Sequence, residues 1–384
     1  MAHRNTVFAQ LLKLVPRHQF DSIAQRHHRG RKLRRMTRYS QWIALASGQL
    51  CGRQSLRDIT SNLRAQGRRL YHLGIEPVAR SSLARVNEKQ SYTLYEELFG
   101  KLYASCRALA PGHRFRFRNP LYSLDASLID LSLKIFPWAD YNRMKAAVKL
   151  HVGLDHSGYL PAFVTVTDAR VHDVVVGRTL ELQKGSIVVF DKGYLDYRWW
   201  KSLGDRGVFF VTRLRTNACY EVVERRRVCK GTGVRADHVV RLMGKSAIEV
   251  GVKELRCVLY RDRETGKTYR FVTNCFHLSA ETIAAIYKER WQIELFFKWL
   301  KQNLKIRSFV GTSKNAILTQ IWVALCIYLL IAMIKLKSRL AASMQQLLRL
   351  LHVGLFTRQD LLELLRGGPP LPLSRPPCPQ LDLL

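Results

Sequence analysis

Acidic residues are scarce in this chain. Asp and Glu together number 29 against 63 Lys and Arg in 384 residues, a formal net charge of +34. An excess of that size repels itself in a compact fold and calls for a polyanionic partner. Nucleic acid is the first candidate and an anionic membrane surface the second. The charge is not confined to a tail: it is spread over 1–118, 200–230 and 285–310, and hydrophobic residues make up 47% of the chain, which excludes a disordered polycation. Close cysteine pairs are missing as well. The eight cysteines, at 51, 106, 219, 229, 257, 275, 326 and 378, form no C-x-x-C unit, which argues against a structural zinc site. Scattered single thiols suit a reducing cytosol and read as small buried hydrophobes. The opening stretch MAHRNTVFAQLLKLVPRHQF has neither the uninterrupted apolar core nor the cleavage pattern of a secretory leader. The run nearest to a membrane span is IWVALCIYLLIAMI at 321–334, fourteen residues where a bilayer needs about 20. It is expected to be a helix buried on all sides in a large core. A basic membrane-associated protein is the reading set aside, and solubility without detergent separates the two.

The length suggests two or three domains. Residues 1–115 carry three-to-four periodicity behind Ser starts, as in SQWIALASGQLCG (40–52), SLRDITSNLRAQ (55–66), SSLARVNEKQ (81–90) and SYTLYEELFGKLYASCRAL (91–109), and are expected to be all-helical and DNA-binding. The cluster QRHHRGRKLRRMTR is either a solvated face or a phosphate contact. SLRDITSNL with ARSSLARVNE suggests a helix-turn-helix with an overlong connection.

Strand texture begins near 116. PLYSLDASLIDL (120–131), AAVKLHVGLDHSG (146–158) and LPAFVTVTDAR (160–170) precede a helix at 171–182, the buried strand GSIVVFDKGY (185–194), a helix ended by Gly207 and the strand VFFVTRLRT. The order is β-β-β-α-β-α-β. A basic, β-prone segment at about 218–270 reads as an inserted small sheet, followed by one helix over 280–305 and then the apolar helix. These limits give an RNase H-like domain over 116–345. A helical segment and the Pro-rich tail GGPPLPLSRPPCPQLDLL fill 346–384, and the tail is expected to be disordered.

Two acids stand at the ends of apolar strands, Asp125 in SLDAS and Asp191 in VVFDKGY, and a third, Glu294, lies mid-helix in YKERWQIELFFKWLKQ (287–302). Singly, each has an ordinary reading as a turn, a cap or an intrahelical ion pair. Together they match an RNase H-like sheet, which sets one Asp on its first strand, one at the end of its fourth and an acid on a later helix. Three converging carboxylates can hold two hard cations for phosphodiester chemistry. Asp130, five residues past Asp125, falls on the opposite strand face. On the helix, Tyr287, Arg290, Glu294, Lys298 and Lys301 recur at steps of three, four, four and three, within about 60° of one line. Ile286, Ile293, Phe296 and Leu300 fill the other side. The stripe therefore reads as a metal ligand framed by groups facing a DNA strand.

Tyr287-x2-Arg290-x3-Glu294-x6-Lys301 resembles the Y-R-E-K signature of the fourth named family of bacterial insertion-sequence transposases. LDAS and FDKGY resemble its two Asp motifs, FPWADY, KLH and FVTRLRTN fit around them, and the N-terminal segment resembles the accessory domain of one branch. The likeness covers about 1–340. Ser127 and Lys192 depart from its commoner Thr and Arg, keeping a hydroxyl and a charge. The resemblance implies a DDE transposase of the bacterial cytoplasm, associated with the nucleoid. Asp125, Asp191 and Glu294 would hold two Mg2+ ions, with Mn2+ as a substitute, and Tyr287, Arg290, Lys298 and Lys301 would touch DNA. The partners would be terminal inverted repeats and target DNA, bound by a homodimer in the synaptic complex and without a membrane. The alternatives are a nuclease or resolvase of the same fold, which needs neither insertion nor stripe, and an inactive DNA-binding relic, against which the intact triad argues. His151, His156 and His172 are expected to be ordinary satisfied histidines, and Trp199 and Trp200 core contacts.

Overall fold

The computed structural model describes residues 5–367 apart from 132–137, 139, 143–144, 230 and 307–308. Half of the FPWADY motif and the Pro-rich tail beyond Gly367 lie outside the described residues.

The chain opens with helices α1 (Val7–Leu12), α2 (Arg17–Arg26), α3 (Arg38–Leu50), α4 (Leu56–Ala65), α5 (Gly67–Leu70), α6 (Arg80–Lys89) and α7 (Thr93–Leu109). Side-chain caps start several of them: Thr37 accepts from the Ser40 amide and Ser55 from the Asp58 amide, each satisfying a donor that the first turn leaves unpaired. Strands β1 (Leu121–Leu131), β2 (Asp140–Asn142), β3 (Lys145–Asp155) and β4 (Leu160–Asp168) follow. Then come α8 (Asp173–Thr179), β5 (Ile187–Phe190), α9 (Tyr197–Asp205) and β6 (Phe209–Arg213). The expected β-β-β-α-β-α-β order is present, with β2 added and α8 shorter than the 171–182 expected. Next are β7 (Tyr220–Arg225), β8 (Val234–Leu242), α10 (Lys245–Val250), β9 (Leu255–Arg261) and β10 (Thr268–Thr273). The chain continues with α11 (Ala280–Glu289), α12 (Trp291–Asn303), α13 (Lys314–Lys337), α14 (Met344–Gly354) and α15 (Leu361–Arg366).

The strands form one mixed sheet in the order β2-β3-β1-β5-β6-β10-β9-β8-β7, with β4 also on β3. β1, β5 and β6 are parallel, and β3 is antiparallel to β1. The 218–270 segment is thus not a separate small sheet. Phe271–Thr273 of β10 pair with Val211–Arg213 of β6, so the insertion continues the central sheet through backbone bonds. Alternation along β5 feeds two cores on opposite faces. Val188 and Phe190 pack with Trp199, Trp200 and Leu203 of α9, while Ile187 and Val189 pack with Ile283, Ala284 and Ile286 of α11. Helices on both faces are what a parallel strand buried on two sides requires.

The chain divides into two compact units, 110–301 and the segment up to 109 together with that from 302 onward. This moves the expected boundary at 345. The apolar run belongs to α13, which packs against α3, α6, α7 and α14, the other helices of its own unit. α13 is long and apolar enough to cross a membrane, yet its apolar window is wholly buried inside the protein. A helix without a polar face must be covered on all sides, and these helices cover it.

Candidate active site

Leu121–Leu124 of β1 pair in parallel with Ile187–Phe190 of β5. The next residue of each chain segment is an acid, so Asp125 and Asp191 stand side by side on strands about 5 Å apart. Leu121 faces the α11 core and Leu124 the α9 core. Strand alternation therefore turns Asp125 toward the α11 side. Glu294 approaches from there, on the first turn of α12. Arg290 joins the two: its Nη2 donates to Glu294 Oε1 at 2.6 Å, and its Nη1 lies 3.5 Å from Asp125 Oδ2. Asp125 Oδ1 accepts from the Ala126 amide at 2.8 Å, and Asp191 Oδ1 caps the following turn by accepting from the Gly193 amide at 2.7 Å. Burial pushes the Asp125 carboxyl up to about 6. The Ala126 amide and Arg290 pull it down, while the nearby charges of Asp191 and Glu294 add to the rise.

The single helix expected over 280–305 is two helices meeting at Arg290. The Arg290 amide bonds the Tyr287 carbonyl and the Ile293 amide bonds the Arg290 carbonyl, a local tightening to three-residue steps. The break ends the stripe that regular 3.6-residue winding would continue. Tyr287 is half-buried on the sheet, its ring 4.7 Å from Phe271, with the Arg290 guanidinium 5.7 Å from the ring centre. Its ring packs on the sheet and also walls a cavity beside Arg290. Lys298 is exposed and Lys301 half-buried one and two turns beyond Glu294, and Ile293, Phe296 and Leu300 are buried, as expected. Within the carboxylate cluster, Arg290 of the stripe bonds Glu294 and lies against Asp125.

Sequence reasoning missed the anchor of this break. Glu289 is 4% exposed, accepts from the Tyr159 hydroxyl at 2.6 Å and pairs with Arg114. This ties the end of α11 to the β3–β4 turn. No periodic signal marks Glu289, because its partners are 130 and more residues away. Also missed was a cavity of about 350 Å³ beside Arg290, walled by Tyr260, Tyr269, Phe271 and Tyr287, with Arg213 and Trp291 on its lining. His151 and His156 are each half-satisfied: His151 Nε2 meets Thr167 Oγ1 and His156 Nε2 meets Ser123 Oγ, while Nδ1 of each is buried without a hydrogen-bond partner, and burial lowers both rings, His151 to about 4 and His156 to about 3. Trp199 and Trp200 are core residues.

Whether this cluster suits a metal turns on its donors. Three carboxylates supply hard oxygen ligands, and the Asp125 carboxyl, raised mainly by burial and further by the charges of Asp191 and Glu294, is one that a bound cation would help to ionise. Among the described residues no three His, Cys, Asp or Glu side chains already converge tightly enough to hold an ion. Arg290 takes up one Glu294 oxygen. The donors fit a divalent cation in kind, with Glu294 engaged by the guanidinium.

Residues 117–330 match the family model of the transposase DDE domain, and residues 3–76 match a domain of unknown function. The chain is 35% identical over 299 residues to a putative transposase of Sinorhizobium fredii, covering 77% of this chain and 82% of that one. It is 30% identical over 255 residues, 65% of this chain and 66% of the other, to a probable insertion-sequence transposase of Geobacillus stearothermophilus. A putative insertion-sequence transposase of Synechocystis is 24% identical over 324 residues, covering 82% and 86%. A solved piggyBac transposase synaptic complex with hairpin DNA aligns over 95% of this chain and 81% of that one, at 11% identity and a TM-score of 0.43. On the extent of the family match and of the first relative, the chain belongs to the DDE transposases of insertion sequences.

Proposed function

We propose that this transposase binds the terminal inverted repeats of its element as a homodimer and cuts and rejoins DNA strands, with Asp125, Asp191 and Glu294 as the catalytic carboxylates. The observation that carries the reading is that Asp125 and Asp191 each directly follow the last paired residue, Leu124 and Phe190, of two neighbouring parallel strands, with Glu294 linked to Asp125 through one guanidinium. These three would hold the divalent cation, Mg2+ or in its place Mn2+, which when bound supplies Lewis-acid stabilisation of the oxygens that attack and leave phosphorus. The protein's own groups do the rest. Arg290 presents a planar cation able to exchange a carboxylate for a phosphate oxygen. Lys298 and Lys301 hold neighbouring phosphates, and the exposed cations Arg29, Arg31, Lys32, Arg34 and Arg35 add contacts of the same kind. Such an enzyme works in the bacterial cytoplasm, on the nucleoid.

The test is cleavage of a labelled inverted-repeat duplex with Mg2+. Asp125→Asn, Asp191→Asn and Glu294→Gln are each expected to lose activity by orders of magnitude while retaining duplex binding. Full activity in any one of them removes that residue from the triad.

A further inference from the structure

Residues 3–76 match a domain to which no function is attached, and one face of it carries charge of a single sign. On α4, Arg57, Ser61 and Arg64 are exposed at steps of four and three, within about 60° of one line and spanning about 10 Å of rise. Exposed Arg68 follows on α5. The opposite side of α4, Leu56, Ile59 and Leu63, is buried. The packing is close enough that a Cβ at Gly48 of α3 would stand 2.7 Å from the Ile59 side chain. α4 is therefore held rigidly with its basic side outward.

Some surface arginines are matched with acids: Arg17 with Asp21, Arg26 with Glu97, Arg241 with Glu254. On α4 the one acid, Asp58, is engaged by Arg53 at 3.5 Å and by the Gln54 amide. Among the described residues, Arg57, Arg64 and Arg68 have neither an ion pair nor a side-chain hydrogen bond. Two unneutralised guanidinium groups on one side of α4 and a third four residues on, at the start of α5, form a basic ridge without counter-charge, an arrangement that a polyanion relieves.

We propose that this ridge is a sequence-independent contact for the phosphate backbone of duplex DNA. A duplex offers one charge per about 1.7 Å of its axis, so each guanidinium finds a phosphate within reach. A membrane surface fits less well. An interfacial helix lays exposed Trp, Phe or Leu beside its cations, whereas the apolar side of α4 is buried within its own unit. The assignment rests on the reading that this chain acts on DNA. It adds where, outside the carboxylate site, the duplex is held.

The experiment measures binding of the full chain to a duplex of unrelated sequence across a salt series, by fluorescence anisotropy. Each phosphate contact contributes about 0.9 to the slope of log affinity against log salt. The combined variant Arg57→Gln, Arg64→Gln, Arg68→Gln is expected to flatten the slope by about 2 to 3. Arg17→Gln, which removes a paired arginine, should change it far less, and the corresponding Lys replacements on the ridge should restore it. A ridge variant that keeps the wild-type slope, or a control that loses as much, overturns the proposal and leaves the DNA reading intact. A wild-type chain with no salt-dependent duplex binding overturns both.

Discussion

Asp125 stands in an environment that keeps its carboxyl well above the ordinary carboxylate range. Its carboxyl holds a proton up to about pH 6 in the fold, against about 3.9 in an unfolded chain. Between those values the folded state binds more protons, so this residue removes stability as pH rises from about 4 through 6, and the loss is complete above 6. Asn at 125 has no proton to lose. In cation-free protein, Asp125→Asn is therefore expected to be more stable than wild type at pH 7.5, by roughly 1–3 kcal/mol, with the difference closing toward pH 4. Thermal melts across that range check it, and a variant less stable at pH 7.5 would contradict the cost of ionising this buried carboxyl. Tyr159→Phe takes a donor from the buried Glu289 carboxylate. It should cost about 1–3 kcal/mol in denaturant titration, more than an exposed Tyr71→Phe. The identities of Asp125, Asp191 and Glu294 as candidates were legible because each interrupts an apolar pattern. The Glu289–Tyr159 bond was not, since nothing local distinguishes it from a surface acid and a turn tyrosine.

At the scale of elements, α12 separates two kinds of residue. Ile293, Phe296 and Leu300 are buried, so Ile293→Ala or Phe296→Ala should destabilise the protein by roughly 2–5 kcal/mol. Lys298 is exposed and Lys301 half-buried. Lys301→Met keeps the stem and removes the charge, so it should leave the unfolding midpoint nearly unchanged while lowering strand transfer, and Lys301→Arg should recover part of it. Parallel melts and strand-transfer assays check this, and the reverse pattern would mean that α12 presents its other side to the site. The period of this segment was readable, but its interruption at Arg290 was not. Arg290, Trp291 and Gln292 are ordinary helix residues, and the break coincides with Glu289 fastened to the β3–β4 turn and Arg290 bridging two carboxylates. The β-rich insertion was likewise readable as strands, while its merger with the main sheet depends on three residue pairs between β6 and β10, remote in sequence.

For the whole molecule, the net charge of +34 is the dominant quantity. Duplex binding is expected to weaken steeply with salt, by about 10³-fold or more between 50 and 200 mM if six or more phosphates are contacted. An affinity insensitive to salt would contradict the role given to the charge. By itself the sequence determined the need for a polyanionic partner, the β-β-β-α-β-α-β order and three acids as candidates, because charge, hydrophobic period and strand-end position are properties of short segments. Only the tertiary structure decided that Arg290 stands between Asp125 and Glu294, that Tyr287 packs half-buried on Phe271, and that the segment after 302 folds with the N-terminal helices. The α13 helix has no polar face, and its burial requires helices that the chain supplies some two hundred residues earlier. Such partnerships follow from the closing of long loops, whose outcome depends on the fit of distant surfaces and leaves no pattern in the residues on either side.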